Sequence, residues 1–334
     1  MPFNAIIGHD QPKRFLQAAM QRDRLAHALL FHGDEGIGKR LVATVLAQAV
    51  NCEAVPPLDP PDACGVCRSC HQIEIGVHPD VTIITATSGK GETEETREIE
   101  SRFIYRPLVG VRKIVILNNA DLLRQEAANA LLKTIEEPPP DSLIILVSRR
   151  PDSLLATIRS RCQEIRFAPL PLETVKTTLR ERRSLSEADA QFLAVVSGGR
   201  LGFALEADAE ALRAERAAFL QLVSRESLES IAGLFAICDA IGKSEQAEAA
   251  IGWLAAWFRD LARVKVGGDR DRLINMDRLE ELDAQAARLP LERILELSTF
   301  VESMERGLDR NLNKVLLLEA LLLRLRQFLQ PKAA

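Results

Sequence analysis

Five short apolar runs punctuate the first half of the chain, at 28–32, 81–86, 113–117, 143–147 and 164–167, and the segments between them carry helical spacing. The runs at 113–117 and 143–147 are nearly all apolar, as a strand covered on both faces requires. Strands alternating with helices predict an α/β core, a parallel sheet flanked by helices. Segment 40–50 reads as the helix after the first strand. Segment 122–136 reads as another, with Asp121 as its expected N-cap and Pro138, Pro139 and Pro140 barring its continuation.

Past Pro171 the pattern changes to Leu, Ala, Glu and Arg at helical period with few strand signals. A short bundle runs to about 207 through the turn Gly198–Gly199, and a longer helical region runs from about 208 to 330. The expected organisation is a core over 1–168, a helical lid over 169–207 and a helical C-terminal domain over 208–334. The longest apolar stretch, 315–325, is too short for a bilayer and carries Glu319 and Arg324, so it reads as a buried helix.

Composition adjusts this picture only slightly. At 334 residues, with 47% hydrophobic and 27% charged, the chain has the make-up of a soluble globular protein with a sizeable core. A net charge of −4 argues against a surface that is basic throughout, and 4% aromatics argue against extended base stacking. The first residues lack the basic and apolar regions of a signal peptide, so a cytoplasmic location without a membrane partner is expected.

Residues 33–40 carry the chemistry that matters most. Gly33, Gly36, Gly38 and Lys39 match a phosphate-binding loop of Gly, four residues, Gly-Lys, then Ser or Thr. Backbone amides and the following helix N-terminus hold phosphates, and Lys39 would reach their oxygens. The last position, whose hydroxyl normally ligates Mg²⁺, holds Arg40, a cation with donors only. The strand at 113–117 then ends in Asn118-Asn119, where such ATPases place an Asp for the metal and a Glu for the attacking water. Asp121 has two readings, a helix cap or a displaced carboxylate. Three deviations in one direction predict a site without hydrolysis, whose loop is vestigial or binds ATP or ADP without turnover.

Cys52, Cys64, Cys67 and Cys70 stand at C-x11-C-x2-C-x2-C, spacing that suits a closed structural Zn²⁺ site. The alternatives are cysteines placed by chance and disulfides, the latter disfavoured in a cytoplasmic chain. His71 and His78 read as surface residues, His71 being able to replace Cys52, while Cys162 and Cys238 lack partners in the sequence. Ser160-Arg161-Cys162 precedes the fifth strand. An Arg there is either a solvated residue or an arginine finger reaching a phosphate held by a neighbouring subunit.

The segments 25–33 and 128–138, the four cysteines and Thr157-Ile158-Arg159-Ser160-Arg161-Cys162 together resemble bacterial clamp-loader subunits of the AAA+ class. The likeness is strong to about 206 and weaker beyond, where Asn311-x-Asn313-x-Val315 through Glu319 is similar to the family's collar domain. It implies a P-loop, RecA-like AAA+ core with a zinc module near 50–72, a lid and a collar for oligomerisation. The tau/gamma motor carries an intact Walker A Thr, an Asp-Glu pair and a sensor Arg in the lid. This chain has Arg40, Asn118, Asn119 and Gly202 at those positions, with Arg200 two residues before the last. Delta subunits lack both Ser-Arg-Cys and the cysteines. The resemblance therefore implies a non-motor ring member, with Arg161 acting in trans and Ser148 at the sensor-1 position, where without a metal site beside it the residue reads as structural. Implied partners are tau/gamma and delta subunits, and through them the sliding clamp and primed DNA. Two other readings remain: a self-sufficient ATPase motor, since Lys39 survives, and a zinc module that reads DNA sequence.

Overall fold

A computed structural model describes residues 1–86, 106–222, 230–242, 246–309 and 312–329. Its strands are β1 (Ala28–His32), β2 (Val81–Thr85), β3 (Lys113–Asn118), β4 (Ser142–Ser148) and β5 (Gln163–Arg166), within a residue or two of the apolar runs. They form one parallel sheet in the order β2-β3-β4-β1-β5.

Side chains alternate between the two faces of this sheet, and both faces are buried. Leu29, Phe31, Ile116 and Ile145 point to one core, shared with helix α1 (Asp10–Gln21), helix α2 (Lys39–Val50) and the cysteine module. Leu30, Val115, Leu117 and Leu146 point to the other, shared with helix α4 (Gln125–Glu136). All seven residues of β4 are buried, and each full burial of a Leu or Ile contributes about 1.5–3 kcal/mol. This two-sided burial is why the strands appear in the sequence as solid apolar runs.

The chain divides into two compact units, Met1–Leu185 with Ser197–Glu206, and Ser186–Val196 with Ala207–Ala334. Segment 169–207 is thus shared. Helix α6 (Leu172–Arg183) and helix α8 (Leu201–Glu206) belong to the first unit, and nearly all of α7 (Glu187–Ser197) belongs to the second.

The second unit is helical. Helix α11 (Gln246–Lys265) runs through it and buries Trp253, Trp257, Phe258 and Leu261. Helix α14 (Lys314–Leu329) buries Leu317, Leu318, Leu321, Leu322 and Leu325, as stretch 315–325 led us to expect, and Asn313 accepts the amides of Val315 and Leu316 at its start. Asn311 lies outside the described residues. Among the described residues no helix is long and apolar enough to cross a membrane.

Two local expectations are corrected. Helix α4 begins at Gln125, after a 3-10 turn at Ala120–Leu122, so Asp121 does not cap it. Its carboxylate instead accepts the Arg149 amide at 3.0 Å. His78 is buried rather than on the surface: its Nε2 lies 3.2 Å from the Ser69 hydroxyl, and its Nδ1 accepts the Asp80 amide at 3.1 Å.

Candidate functional site

Strand register gathers the candidate residues at the C-terminal edge of the sheet. His32, the residue before the loop, pairs with Ser148, and Asn118 pairs with Val147. Ligands bind at this edge in open parallel sheets, where loops leave the strands side by side.

The loop has the shape its glycines imply. Gly33, Gly36 and Gly38 take φ values of 143°, 75° and 103°, conformations that cost any side chain with a Cβ. Gly38 is the N-cap of α2, so the first amides of that helix face the cavity above the loop. Lys39 is buried and turned back into the loop, donating to the carbonyls of Gly33 at 2.7 Å and Asp34 at 2.6 Å. Burial pulls its pKa below the ordinary value, opposed by the nearby carboxylates of Asp34, Glu35 and Asp121.

Around the loop lies a cavity of about 500 Å³. Gly36, Gly38, Lys39, Arg40, Asn118, Asn119 and Ser148 all line it, so the structure brings together the positions read from the sequence. Asn119 sits at φ 55°, a left-handed conformation that Asn tolerates and that would strain a Glu. The Ser148 residue is 1% exposed and its hydroxyl has no partner among the described residues.

Helix α8 reaches the loop through Gly202, whose amide donates to the Gly36 carbonyl at 2.8 Å. A Cβ at Gly202 would stand 2.9 Å from that oxygen. Close backbone approach therefore demands glycine here. Arg200, two residues earlier, is turned away onto the Ser197 carbonyl and the Phe203 ring. Arg149 and Arg182, by contrast, line the cavity, and sequence reading passed over both. Arg149 follows a strand end, which was a usable signal. Arg182 sits in an arginine-rich helix turn that only the tertiary fold brings to the loop.

Arg161 is not part of this cavity's lining. It follows the short helix α5 (Ala156–Arg159), is 42% exposed, and has its guanidinium 3.0 Å from the Glu136 carboxylate, itself 49% exposed. Arg159, two residues earlier, is held by two carboxylates, Asp152 at 2.7 Å and Glu164 at 3.4 Å. Cys162 is partly buried beside it, and burial pushes its thiol up to about 12, so it is a packing residue rather than a nucleophile.

The four cysteines converge from the end of α2, the following loop and helix α3 (Arg68–Glu74). The sulfurs of Cys52, Cys64, Cys67 and Cys70 all lie within 4.8 Å of one another, and all four residues are free thiols. Cys52, Cys64 and Cys67 each accept a backbone amide, from Cys64, Cys67 and Cys70 at 3.3–3.4 Å. Burial pushes the Cys64 thiol up, but the amides of Val66 and Cys67 and the neighbouring thiols outweigh it and hold the group at about 6. Burial pushes Cys70 well above the ordinary range. Four converging sulfurs bearing N–H···S bonds fit a tetrahedral thiolate-bound metal.

Two family models match the chain: "DNA polymerase III, delta subunit" over residues 8–171, and "DNA polymerase III, delta subunit, C terminal" over 211–327. The chain is 28% identical to DNA polymerase III subunit delta' of Bacillus subtilis, across 95% of this chain and 96% of that protein. It is 29% identical to the delta' subunit of Pseudomonas aeruginosa, across 90% and 92%. With the Bacillus subtilis tau subunit it shares 33% identity, over 61% of this chain and 36% of the relative. Matched in both halves, and aligned with delta' subunits over nearly its whole length, the chain belongs to the delta-prime family of DNA polymerase III clamp-loader subunits.

Proposed function

We propose that this chain is a non-hydrolysing clamp-loader subunit that completes the ATP site of a neighbouring tau/gamma subunit with Arg161. The observation that carries the reading is the contrast between Arg161 and its neighbour Arg159. Arg159 is tied to two carboxylates of its own chain, whereas Arg161 is exposed, outside the cavity of its own loop, and held by one exposed carboxylate, Glu136, and by the Thr157 carbonyl at 3.1 Å. An ion pair between two groups exposed to that degree contributes at most about 1 kcal/mol, so a phosphate can displace Glu136. Guanidinium–phosphate pairing is bidentate and charge-assisted, and as a finger it is worth about 10³–10⁵ in rate.

Absence of hydrolysis in the chain's own site is supported by Arg40, Asn118 and Asn119, which supply neither a metal ligand with charge nor a carboxylate for water. Asp121 does not replace them: its side chain is 5% exposed and lies between the Arg149 amide and the Arg150 guanidinium. In this reading Cys52, Cys64, Cys67 and Cys70 hold a structural Zn²⁺ that fastens α3 to α2. The protein then works with tau/gamma and delta subunits in a cytoplasmic ring that places the sliding clamp on primed DNA.

The test is reconstitution of the complex with Arg161→Ala. Assembly should be retained while DNA-stimulated ATP hydrolysis and clamp loading fall. Unchanged hydrolysis at full assembly would remove the finger from the account.

A further inference from the structure

In the free chain the Arg161 guanidinium is docked on its own protein. Its Nη2 lies 3.0 Å from the Glu136 carboxylate, and its Nη1 donates to the Thr157 carbonyl at 3.1 Å, with the Ser160 hydroxyl at 3.5 Å. Both terminal nitrogens are therefore in use. A guanidinium grips a phosphate through two parallel N–H···O bonds, so that grip forms only when these acceptors are released.

The two main acceptors differ in kind. Thr157 belongs to α5, four residues before Arg161, and its carbonyl is a local contact of that turn. Glu136 comes from a different element, as the last residue of α4, and Glu137 follows it, also exposed. A helix C-terminus carries partial negative charge and favours cations, yet α4 ends in two carboxylates. A carboxylate at that end weakens the helix that carries it, and the contact that offsets this is the one with Arg161. The helix end keeps its place by other means. Ile135 is buried among the core residues, and the His27 Nε2 lies 3.1 Å from the Ile135 carbonyl.

We propose that Glu136 is a latch on the finger: it holds Arg161 back from a neighbour's phosphate until the ring closes on DNA, and so restrains hydrolysis at that neighbour when no DNA is bound. The proposal rests on the reading of Arg161 as a finger and adds the residue that withholds it. Glu136 acts only through Arg161, which makes it a positioning residue. The size of the effect is bounded. A pair exposed to this degree shifts the balance between docked and released guanidinium by at most about fivefold. A phosphate carries more negative charge than a carboxylate and accepts from both nitrogens, so it displaces Glu136 once it comes within reach.

The test uses the complex reconstituted with tau/gamma and delta subunits and with Glu136→Gln in this chain. Gln keeps the length and the helix preference of Glu and removes the charge. ATP hydrolysis without DNA should rise about two- to fivefold, while the rate at saturating primed DNA changes by less than about twofold. Glu136→Ala should behave in the same way. Combined with Arg161→Ala, either substitution should change neither rate, because its effect passes through the guanidinium. An unchanged rate without DNA, a rise that persists in the Arg161→Ala background, or a fall in the DNA-saturated rate would each overturn the latch. The last result would make Glu136 a support of the productive finger instead. If Arg161→Ala alone leaves hydrolysis unchanged, the finger reading itself fails, which is a separate outcome.

Discussion

At the scale of single residues, the chain's departures from an ATPase pattern have structural consequences that the pattern alone does not show. Gly202 reads in sequence as a lost lid cation. In the structure it is also the point where two backbones meet, its amide 2.8 Å from the Gly36 carbonyl. Gly202→Ala should therefore destabilise the first unit by about 1–3 kcal/mol as a bulk of one methyl is forced against a carbonyl, measured as a lowered thermal midpoint. A midpoint equal to the parent's would mean the contact is not tight. Asn119 is similar: the sequence shows the loss of a carboxylate, and only its φ of 55° shows why Asn suits the backbone there. The Thr-Ile-Arg-Ser sequence before it singles out Arg161 as a candidate, but nothing in the sequence indicates its pairing with Glu136. That contact joins residues 25 positions apart across two elements, and no periodicity encodes it.

At the scale of elements, the strands were the most legible feature because β3 and β4 are covered on both sides and so are apolar throughout. The start of α4 was misread by three residues because Asp121, a strong cap residue by type, is recruited by the Arg149 amide on the neighbouring strand's exit. A comparable device holds the segment before β3. Asp80 is 1% exposed and accepts the amides of Leu108, Val109 and Gly110, each at 2.8 Å. These donors hold its carboxyl below the ordinary carboxylate range although burial pushes the other way. Asp80→Ala leaves three amides without their acceptor and should cost roughly 1–3 kcal/mol, with faster hydrogen exchange at 108–110; exchange at the parent's rate would contradict the role. For the cysteine module, the purified chain should contain one equivalent of zinc, and both Cys70→Ser and a strong chelator should lower its thermal midpoint. A metal-free chain with an unchanged midpoint would leave the four thiols as a packing cluster.

At the scale of the whole molecule, composition and periodicity showed an α/β half and a helical half, but not how segment 169–207 is shared between the two units. Helices of similar composition give no local sign of which core they join. The second unit also contains a buried polar network that periodicity could not reveal. Asp260, 0% exposed, accepts the amide and the side-chain amide of Asn275 at 2.8 Å, and Arg216 donates to the Ile274 carbonyl at 2.8 Å. Burial raises the Asp260 pKa above 3.8, with the Asn275 donors and Arg263 opposing. A raised folded-state pKa gives stability that is present below 3.8 and lost as pH rises through the native value. The stability of the parent relative to Asp260→Asn should therefore fall across that window and level off above it, and a difference constant with pH would contradict this. The central claim is that the chain hydrolyses nothing itself and acts through Arg161 on its neighbour. It is tested most directly by counting ADP formed in the first turnover of the reconstituted, DNA-bound complex. The account predicts that Arg161→Ala in this chain removes one hydrolysing site per complex, while Lys39→Ala in the same chain removes none. Loss of a site with Lys39→Ala, or no loss with Arg161→Ala, would contradict it.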